Sequence, residues 1–290
     1  MRQSYFKASN HSYLLSLIFQ AMKLLEAEEQ NPSLEVFHCL RINRVPILQQ
    51  LQLEEKLLRT SSDNWCIIND GTPDPTIVMG VSGKPTELLD VRSVLQQKIP
   101  VIKRFTGGGT VIVDDGTIFV SFICNKDAVP NLQPYPHPIM AWSSLLYNKV
   151  FCKAGDFKLR ENDYVFGSHK FGGNAQSITK NRWIHHTSFL WDYEEANMTY
   201  LKIPQRAPKY RQARDHSEFI CRMKDILPRS GFIVRTIKAV ESQFSVRFVL
   251  LNEIESLDST EFVPSSRILT TEELEATIQA EDNGLLSESL

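Results

Sequence analysis

Residues 103–110 read Lys-Arg-Phe-Thr-Gly-Gly-Gly-Thr, and this stretch lies between two segments rich in β-branched and aromatic residues. The apolar runs at 99–102 and 118–123 are predicted to be strands, so the glycines form a loop between two rigid elements. Glycine has no Cβ atom, which lets a ligand approach the backbone and permits positive φ angles. The N–H groups of such a loop can bind an anion, but three glycines between strands are equally consistent with a wide hairpin turn.

The loop matches neither of the common nucleotide-binding motifs. It lacks the G-x-G-x-x-G spacing, and no helical pattern follows it. The pair Gly83-Lys84 is followed by Pro85 instead of Ser or Thr, which excludes a P-loop. The spacing by itself therefore predicts only a candidate phosphate-binding loop.

Length and composition are those of a globular protein. Of the 290 residues, 42% are hydrophobic and 23% are charged, so one large or two modest domains are expected. No apolar run reaches the roughly 20 residues of a membrane helix. The five cysteines are odd in number, widely spaced and without a C-x-x-C pair, which disfavours both a disulfide framework and a zinc site.

Charge is distributed unevenly along the chain. Residues 253–290 contain ten Asp and Glu but only one basic residue, Arg267. The remaining 31 basic and 24 acidic residues give residues 1–252 a net charge of +7. This charge suits an anionic ligand or an acidic protein surface. Because the basic residues are few and scattered, we expect no nucleic-acid partner, and we expect no membrane partner either.

The first 25 residues contain Arg2, Lys7 and Lys23 but no acidic residue. With the serines and apolar residues between them, this is the composition of an organellar transit peptide, although an ordinary surface helix has a similar pattern. We expect residues 1–30 to be a transit peptide or an N-terminal extension. The expected location is the mitochondrion, with the cytoplasm as the alternative.

Hydrophobic periodicity predicts most of the other elements. We expect helices at 44–59, 88–98, 139–153, 216–226 and 271–280, and strands at 35–42, 65–68, 76–79, 232–237 and 244–251. Residues 130–138 contain four prolines and are predicted to form an extended loop. Residues 158–192 are predicted to be short strands and turns.

A second group of candidate residues lies at 162–188. Asn162-Asp163 precedes a predicted strand, where the pair suits either a metal or phosphate site or a turn. Lys170 stands before Gly172-Gly173, which places an ammonium group beside unhindered backbone, as an adenylate or phosphate site requires. A solvated surface lysine is the alternative. His185-His186 lacks a third ligand at metal spacing, so a structural or hydrogen-bonding role is expected.

Taken together, the motifs resemble the lipoate–protein ligase A family, in its eukaryotic branch of biotin/lipoate A/B protein ligases. They occur in the family's order: Arg-x-Thr-Gly-Gly-Gly from Arg104, Asp-x-Gly-Thr from Asp114, Asn162-Asp163, Lys-x-x-Gly-x-Ala from Lys170 and His-His-x-Ser-x-Leu from His185. The resemblance covers about residues 42–240. It implies a mixed α/β (α+β) catalytic domain at residues 31–252, related to biotin ligases and class II synthetases, with mixed sheets flanked by helices.

The resemblance also implies two half-reactions. Lipoate or octanoate reacts with ATP to give acyl-AMP and pyrophosphate, and the acyl group then moves to a lysine of a lipoyl-carrier domain. ATP and Mg²⁺ are the implied cofactors. The implied partners are the glycine cleavage H protein and the E2 subunits of 2-oxoacid dehydrogenases, and the enzyme is expected to be a monomer.

By the same resemblance, Lys170 is the catalytic residue, and its positive charge would stabilise the acyl carbonyl and phosphate oxygens. The residues implied to bind substrate or ATP are Arg104, Gly107, Gly108, Gly109, Asp114, Asn162, Asp163, Gly172, Ala175, His186 and Ser188. Arg104 would hold phosphate or carboxylate through two hydrogen bonds, and Asp163 would also bind Mg²⁺. The strands at 77–79 and 111–113 are candidates for the wall of an acyl tunnel.

Two departures from the bacterial pattern leave alternatives open. Val113 and Thr117 replace a histidine and an asparagine of the bacterial motif, and the acidic tail at 253–290 stands in place of a full accessory domain. An ATP-independent octanoyl or lipoyl transferase, or an amidotransferase of the same fold, is the first alternative. Such transferases generally use a cysteine thiolate, which is missing just before Arg160 and throughout 187–220. A non-catalytic carrier-binding protein is the second alternative.

Overall fold

A computed structural model describes residues 34–256 and 262–288 of the chain. The segment 1–30, with the predicted transit peptide, lies outside the described residues. Within the described ranges, no helix is both long enough and apolar enough to cross a membrane.

The described residues form twelve strands and eight α-helices. The strands are β1 Val36–Asn43, β2 Asn64–Asp70, β3 Thr76–Met79, β4 Val101–Lys103, β5 Thr110–Val113, β6 Thr117–Asn125, β7 Phe157–Arg160, β8 Asp163–Phe166, β9 His169–Ile178, β10 Arg182–Leu190, β11 Ser245–Val249 and β12 Arg267–Ile268. The helices are α1 Ile47–Thr60, α2 Pro85–Leu88, α3 Val91–Gln97, α4 Pro136–Val150, α5 His216–Phe219, α6 Arg229–Glu241, α7 Leu251–Ser256 and α8 Thr271–Glu288. Short 3₁₀ helices lie at Glu195–Tyr200, Lys209–Arg211 and Met223–Asp225.

Eight strands form the larger sheet, in the order β11-β1-β2-β6-β10-β9-β8-β7. Strand β1 runs parallel to β11 and β2, and the other neighbouring strands are antiparallel. On one face, Trp142 of α4 packs edge-on against Trp183, and Tyr147 of α4 and Phe232 of α6 pack against Phe189. This aromatic layer holds β10 from one side, and alternate residues of β10 face the other side.

Four strands form the smaller sheet, in the order β12-β4-β3-β5. Strand β3 runs parallel to β4 and antiparallel to β5, and β12 pairs antiparallel with β4. Helix α1 joins the two sheets, because Leu51 packs on Val78 of the smaller sheet while Leu57 and Leu58 pack in the core of the larger one. The predicted mixed α+β class, with mixed sheets flanked by helices, is confirmed.

The acidic segment after residue 261 packs on the smaller sheet. Leu269 N–H donates to the Val101 carbonyl at 2.8 Å, and Leu274 of α8 is buried beside α3. The helix predicted at 271–280 is confirmed and extends to Glu288. The Thr270 hydroxyl accepts a hydrogen bond from Glu273 N–H at 3.2 Å, and the Glu273 carboxylate accepts one from Thr270 N–H at 2.9 Å. These reciprocal bonds cap the helix.

Three predicted elements differ from the structure. Residues 232–237, predicted as a strand, lie inside helix α6, whose buried positions Phe232, Thr236 and Val240 recur every four residues. The helix predicted at 216–226 is replaced by the single turn of α5 and a 3₁₀ turn at 223–225. The loop predicted at 130–138 ends early, because α4 starts at Pro136, and proline suits the first turn of a helix.

Candidate active site

A cavity of about 620 Å³ lies between the glycine loop of the smaller sheet and strands β8 to β10 of the larger sheet. Ten of the predicted site residues line it: Arg104, Gly107, Gly108, Gly109, Asn162, Asp163, Lys170, Ala175, His186 and Ser188. The two motif clusters of the sequence, some sixty positions apart, therefore meet around one space. Gly107 N–H joins the sheets directly by donating to the Gln176 carbonyl of β9 at 3.2 Å.

Lys170 forms an ion pair inside the cavity. Its Nζ atom lies 2.7 Å from Oδ1 of Asp163, and its side chain is 28% exposed, so a ligand can reach the ammonium group. A Cβ atom on Gly173 would stand 3.4 Å from both Cε and Nζ of Lys170, an ordinary van der Waals distance, so the end of the Lys170 side chain packs directly over this glycine. The pairing of β8 with β9, in which Asp163 stands opposite Gly173, brings the two charges together.

Tyr210, from a separate segment of the chain, forms a hydrogen bond with the carboxylate of this ion pair. Its hydroxyl donates to Oδ2 of Asp163 at 2.9 Å. Burial, followed by the neighbouring Asp163 carboxylate, raises the pKa of Tyr210 above its ordinary value, so the phenol stays protonated and keeps donating. Tyr210 is a residue that the sequence analysis missed, and nothing in its local pattern marks it.

The resemblance implied that Asp163 binds Mg²⁺, and in the structure both oxygens of its carboxylate already have protein partners. One carboxylate oxygen faces Lys170 and the other accepts the Tyr210 hydroxyl hydrogen bond. Among the described residues, no three His, Cys, Asp or Glu side chains cluster in a way that would hold a metal ion. What the structure shows for Asp163 is an ion pair with Lys170 and a hydrogen bond from Tyr210.

Arg104 organises the glycine loop from within. It is 4% exposed. Nε donates to the Thr106 hydroxyl at 2.8 Å, and Nη2 donates to the carbonyls of Gly107 and Gly109, each at 2.9 Å. Burial lowers the pKa of Arg104 to about 10, so the guanidinium is still charged at neutral pH. With most of its N–H groups bound to the loop, Arg104 shapes the backbone of the cavity wall and has little capacity left to grip a ligand.

A buried carboxylate, Glu54 of α1, anchors His186 beneath this loop. Glu54 is fully buried, and its Oε2 lies 2.9 Å from Nδ1 of His186. Its Oε1 accepts hydrogen bonds from Ser121 at 2.5 Å and from Gln50 at 2.7 Å. Nε2 of His186 lies 3.3 Å from the Thr106 hydroxyl, which also accepts from Arg104. The network ties the glycine loop to the core.

Glu54 and Gln50 were also missed, although the sequence carries a signal for them. They stand four residues apart, next to Leu51 and Leu58, on the buried face of helix α1. A polar pair on a buried helix face requires hydrogen-bond partners. His186 and Ser188 alternate along β10 with His185, so they face the cavity while His185 faces the core.

His185 has the structural role expected for it. It is fully buried, and its Nδ1 accepts a hydrogen bond from Gln176 at 3.1 Å. Burial, and then the neighbouring His186, lowers the pKa of His185 to about 3, so the ring is neutral at physiological pH.

The structure places Asp114 and Gly172 away from the cavity. Asp114 closes the turn between β5 and β6, where its Oδ1 accepts from Gly116 N–H at 2.9 Å. Burial raises the pKa of the Asp114 carboxyl. Gly172 packs under Tyr164, and a Cβ there would stand 3.0 Å from that ring. Both residues support the fold around the site.

One part of the cavity wall is apolar, as an acyl chain would need. Leu51, Phe119 and Met140 line it together with Val78 and the Val111-Ile112 pair. These include three of the six predicted tunnel residues. The other three, Ile77, Met79 and Val113, are buried in the cores beneath the wall.

None of the five cysteines, all of which lie in the described ranges, lines the cavity. Cys39, Cys66 and Cys124 are buried in the core. Burial raises the pKa of Cys124 well above its ordinary value, which disfavours a thiolate there. The cavity therefore offers no sulfur nucleophile.

Comparison with known proteins agrees with this geometry. The family model for the lipoyl protein ligase A/B catalytic domain matches residues 46–245. "Inactive lipoate–protein ligase 2" of Plasmodium falciparum is 28% identical over 277 residues, 73% of this chain and 71% of that protein.

Two solved structures share the fold. One is a bipartite lipoate protein ligase of Thermoplasma acidophilum, studied with its E2 lipoyl domain; it has a TM-score of 0.62 at 17% identity and covers 77% of this chain and 90% of its own. The other is a lipoate–protein ligase A bound with ATP, with a TM-score of 0.61 at 16% identity, covering 77% of this chain and 92% of its own. Because the family model spans most of the chain, this protein belongs to the lipoyl protein ligase A/B family.

Proposed function

We propose that the protein activates lipoate or octanoate with ATP to acyl-AMP and transfers the acyl group to a lysine of a lipoyl-carrier domain. The observation that carries this proposal is the cavity itself, which is lined both by the Lys170–Asp163 pair and by an apolar wall. A saturated chain ending in a carboxylate needs both surfaces. The neighbour bound with ATP and the neighbour studied with an E2 lipoyl domain support the choice of nucleotide and partner.

Lys170 supplies the charge that the first half-reaction requires. A carboxylate and a phosphate repel each other, and a fixed cation between them lowers the barrier to their reaction. The Asp163 carboxylate points the Lys170 ammonium into the cavity and keeps it from swinging out to solvent. The acyl carboxylate forms a bond to the α-phosphorus, and pyrophosphate leaves.

The second half-reaction needs an open approach to the acyl carbonyl. Gly109 has no atom within 4 Å of the place where a Cβ would stand, so the loop leaves that approach unobstructed. The neutral amine of the carrier lysine attacks the acyl carbon, AMP leaves with the bonding electrons, and the nitrogen loses a proton to water as the amide is formed. Mg²⁺ would enter with the ATP phosphates, because Asp163 is already paired.

The test combines the purified chain with octanoate or lipoate, ATP–Mg²⁺ and an apo lipoyl domain from an E2 subunit or an H protein. Intact mass spectrometry of the carrier reports acylation. We expect acylation that depends on ATP and releases pyrophosphate. Acylation from an acylated carrier without ATP would identify an amidotransferase or transferase instead.

A non-catalytic role in carrier binding is the second candidate, because the Plasmodium relative is named an inactive ligase. Binding of the apo carrier without acylation under any condition would establish it. The cavity argues against this candidate, since Lys170 and Asp163 remain paired and accessible within it.

We also propose mitochondrial import through residues 1–30. A fluorescent fusion of this segment should enter mitochondria, and the variant with Arg2, Lys7 and Lys23 changed to Gln should not. A fusion that stays in the cytoplasm would contradict import.

A further inference from the structure

Arg211 is a cation of the cavity that the reaction described above does not use. It ends the 3₁₀ helix Lys209–Arg211 and lines the cavity. The residue is only 3% exposed, yet its buried Nη2 atom has no hydrogen-bond partner among the described residues. Burying an N–H group of a charged side chain without a hydrogen-bond partner is costly, and such groups in proteins are nearly always bonded to protein, water or a ligand.

The guanidinium of Arg211 is held in a fixed orientation. Its Nε donates to the Arg214 carbonyl at 2.8 Å, and its plane lies over the Phe219 ring, 4.7 Å from the centroid. Arg214 in turn donates to the Ser168 carbonyl at 3.0 Å and to the Tyr210 carbonyl at 2.9 Å. A guanidinium fixed in this way loses little further freedom when its remaining N–H groups bind an anion.

Positive charge prevails in this part of the cavity. Arg206 is exposed and lines the same cavity as Arg211. Of the two carboxylates in the wall, Asp163 is paired with Lys170, and Glu161 accepts the Tyr210 N–H at 3.4 Å. The carboxylate of the acyl substrate needs only one cation as a partner. A pyrophosphate group presents several charged oxygens and can bind more than one cation.

We propose that Arg211, assisted by Arg206 at the rim, binds the pyrophosphate part of ATP. This inference rests on the proposed ATP-dependent function. When the acyl carboxylate bonds to the α-phosphorus, the bond from that phosphorus to the bridging oxygen breaks. The bonding electrons pass to the departing pyrophosphate, and the fixed guanidinium of Arg211 stabilises the charge that builds up there.

The test measures direct binding of inorganic pyrophosphate, ATP, AMP and octanoate to the full chain by isothermal titration calorimetry. Arg211→Gln should weaken the binding of pyrophosphate and ATP by about tenfold or more, while the dissociation constants of AMP and octanoate stay within about twofold. Lys209→Gln is the matched control, since it removes an exposed charge from the same helix outside the cavity. It should leave all four values unchanged.

A second variant keeps the test decisive if Arg211→Gln fails to fold. Arg206→Gln changes an exposed side chain and should weaken pyrophosphate binding by about threefold or more without affecting octanoate. Unaltered pyrophosphate binding in both variants, or no pyrophosphate binding by the unmodified protein, would overturn the proposal. A loss confined to octanoate would assign Arg211 to the carboxylate instead.

The outcomes separate this inference from the proposed function. If pyrophosphate binds through Arg211 but no acyl-AMP forms, the anion site stands and the ligase assignment fails. If acyl-AMP forms in Arg211→Gln with an unchanged KM for ATP, the ligase assignment stands and the role of Arg211 is refuted.

Discussion

At the scale of single residues, the site depends on how one ammonium group is held. Lys170 lies against Asp163, whose second oxygen is occupied by Tyr210. Because the carboxylate holds the Lys170 ammonium group in place within the cavity, the lysine is suited to electrostatic stabilisation and not to nucleophilic attack. Three side chains from two separate segments thus fix the position of one ammonium group.

Replacing Lys170 with Gln should lower the rate of acyl-AMP formation about 100-fold or more, because the fixed charge is lost while the amide can still donate to Asp163. Pyrophosphate release, measured with octanoate and ATP, reports the rate. Thermal melting should change little, since the Lys170 side chain is partly exposed.

Lys180→Gln provides the control, because Lys180 is exposed and lies outside the cavity. It should release pyrophosphate at the normal rate. Normal release by Lys170→Gln as well would show that Lys170 does not take part in the reaction.

His185 should make stability depend on pH. The unfolded chain binds a proton at this residue below the ordinary pKa of 6.5, whereas the folded protein binds it only near pH 3. The unfolded state is therefore favoured as the pH falls through this window, by on the order of 3 kcal/mol between pH 7 and pH 4. Urea denaturation of His185→Asn should show a shallower loss of stability over that range. Parallel curves for the variant and the unmodified protein would refute this assignment.

The sequence identified the residues that stand in motifs and missed those that reach the site from a distance. Lys170 and His186 were found from short motifs. Glu54 lies 132 positions before His186, and Tyr210 lies 47 positions after Asp163. Local sequence spacing cannot predict these contacts, because they depend on the order of the strands in the sheet and on the packing of α1.

At the scale of elements, the glycine loop is defined by a close backbone approach. Gly108 has a φ of +106°, a conformation that side chains disfavour. A Cβ on Gly80 would collide with the Gly108 carbonyl oxygen, so the end of β3 and the loop can meet only because Gly80 lacks one. The loop keeps its shape through this contact and through Arg104.

Gly80→Ala should therefore destabilise the protein by about 1–3 kcal/mol, the usual cost of forcing an extra group into packed structure. Gly109→Ala is the matched control, because its added Cβ meets no atom within 4 Å. The melting temperatures of the two variants, measured by thermal denaturation, test this prediction. Equal melting temperatures would mean that the loop can shift away from Gly80.

The elements themselves were predictable where one pattern prevailed. The strand at 76–79 was predicted from its apolar, β-branched run, and the helix at 271–280 from its N-cap threonine and the acidic residues of its first turn. The strand prediction at 232–237 was wrong, because a short apolar run with β-branched residues suits a strand as well as a buried helix. Burial of Phe232, Thr236 and Val240 shows the helical period.

At the scale of the whole molecule, the two sheets are held together by segments far apart in the sequence. Helix α1 packs on both sheets, and β12 and α8 close the outer side of the smaller sheet. Glu55 of α1 accepts hydrogen bonds from Ser265 N–H at 2.8 Å and from Ser266 N–H at 3.2 Å. The sequence predicted the mixed fold through a family resemblance, but the pairing of β1 with β11 follows from no local signal.

Leu274→Ala should destabilise the protein by about 2–5 kcal/mol, because Leu274 of α8 is 4% exposed in the core of the smaller sheet. Glu275→Ala, on the exposed side of the same helix, should have little effect. Chemical denaturation provides the comparison. Equal stability of the two variants would indicate that α8 adds nothing to that core.

The contact between Ser266 and the glycine loop has a consequence for protein synthesis. The Ser266 hydroxyl accepts a hydrogen bond from Phe105 N–H at 3.0 Å, and β12 pairs with β4, which leads into the loop. A ribosome delivers the chain from its N-terminus, so residues 103–110 emerge long before residues 265–268 can reach them. The contact between the loop and Ser266 therefore forms only after residue 266 has been synthesised, and until then the N–H group of Phe105 lacks its native acceptor.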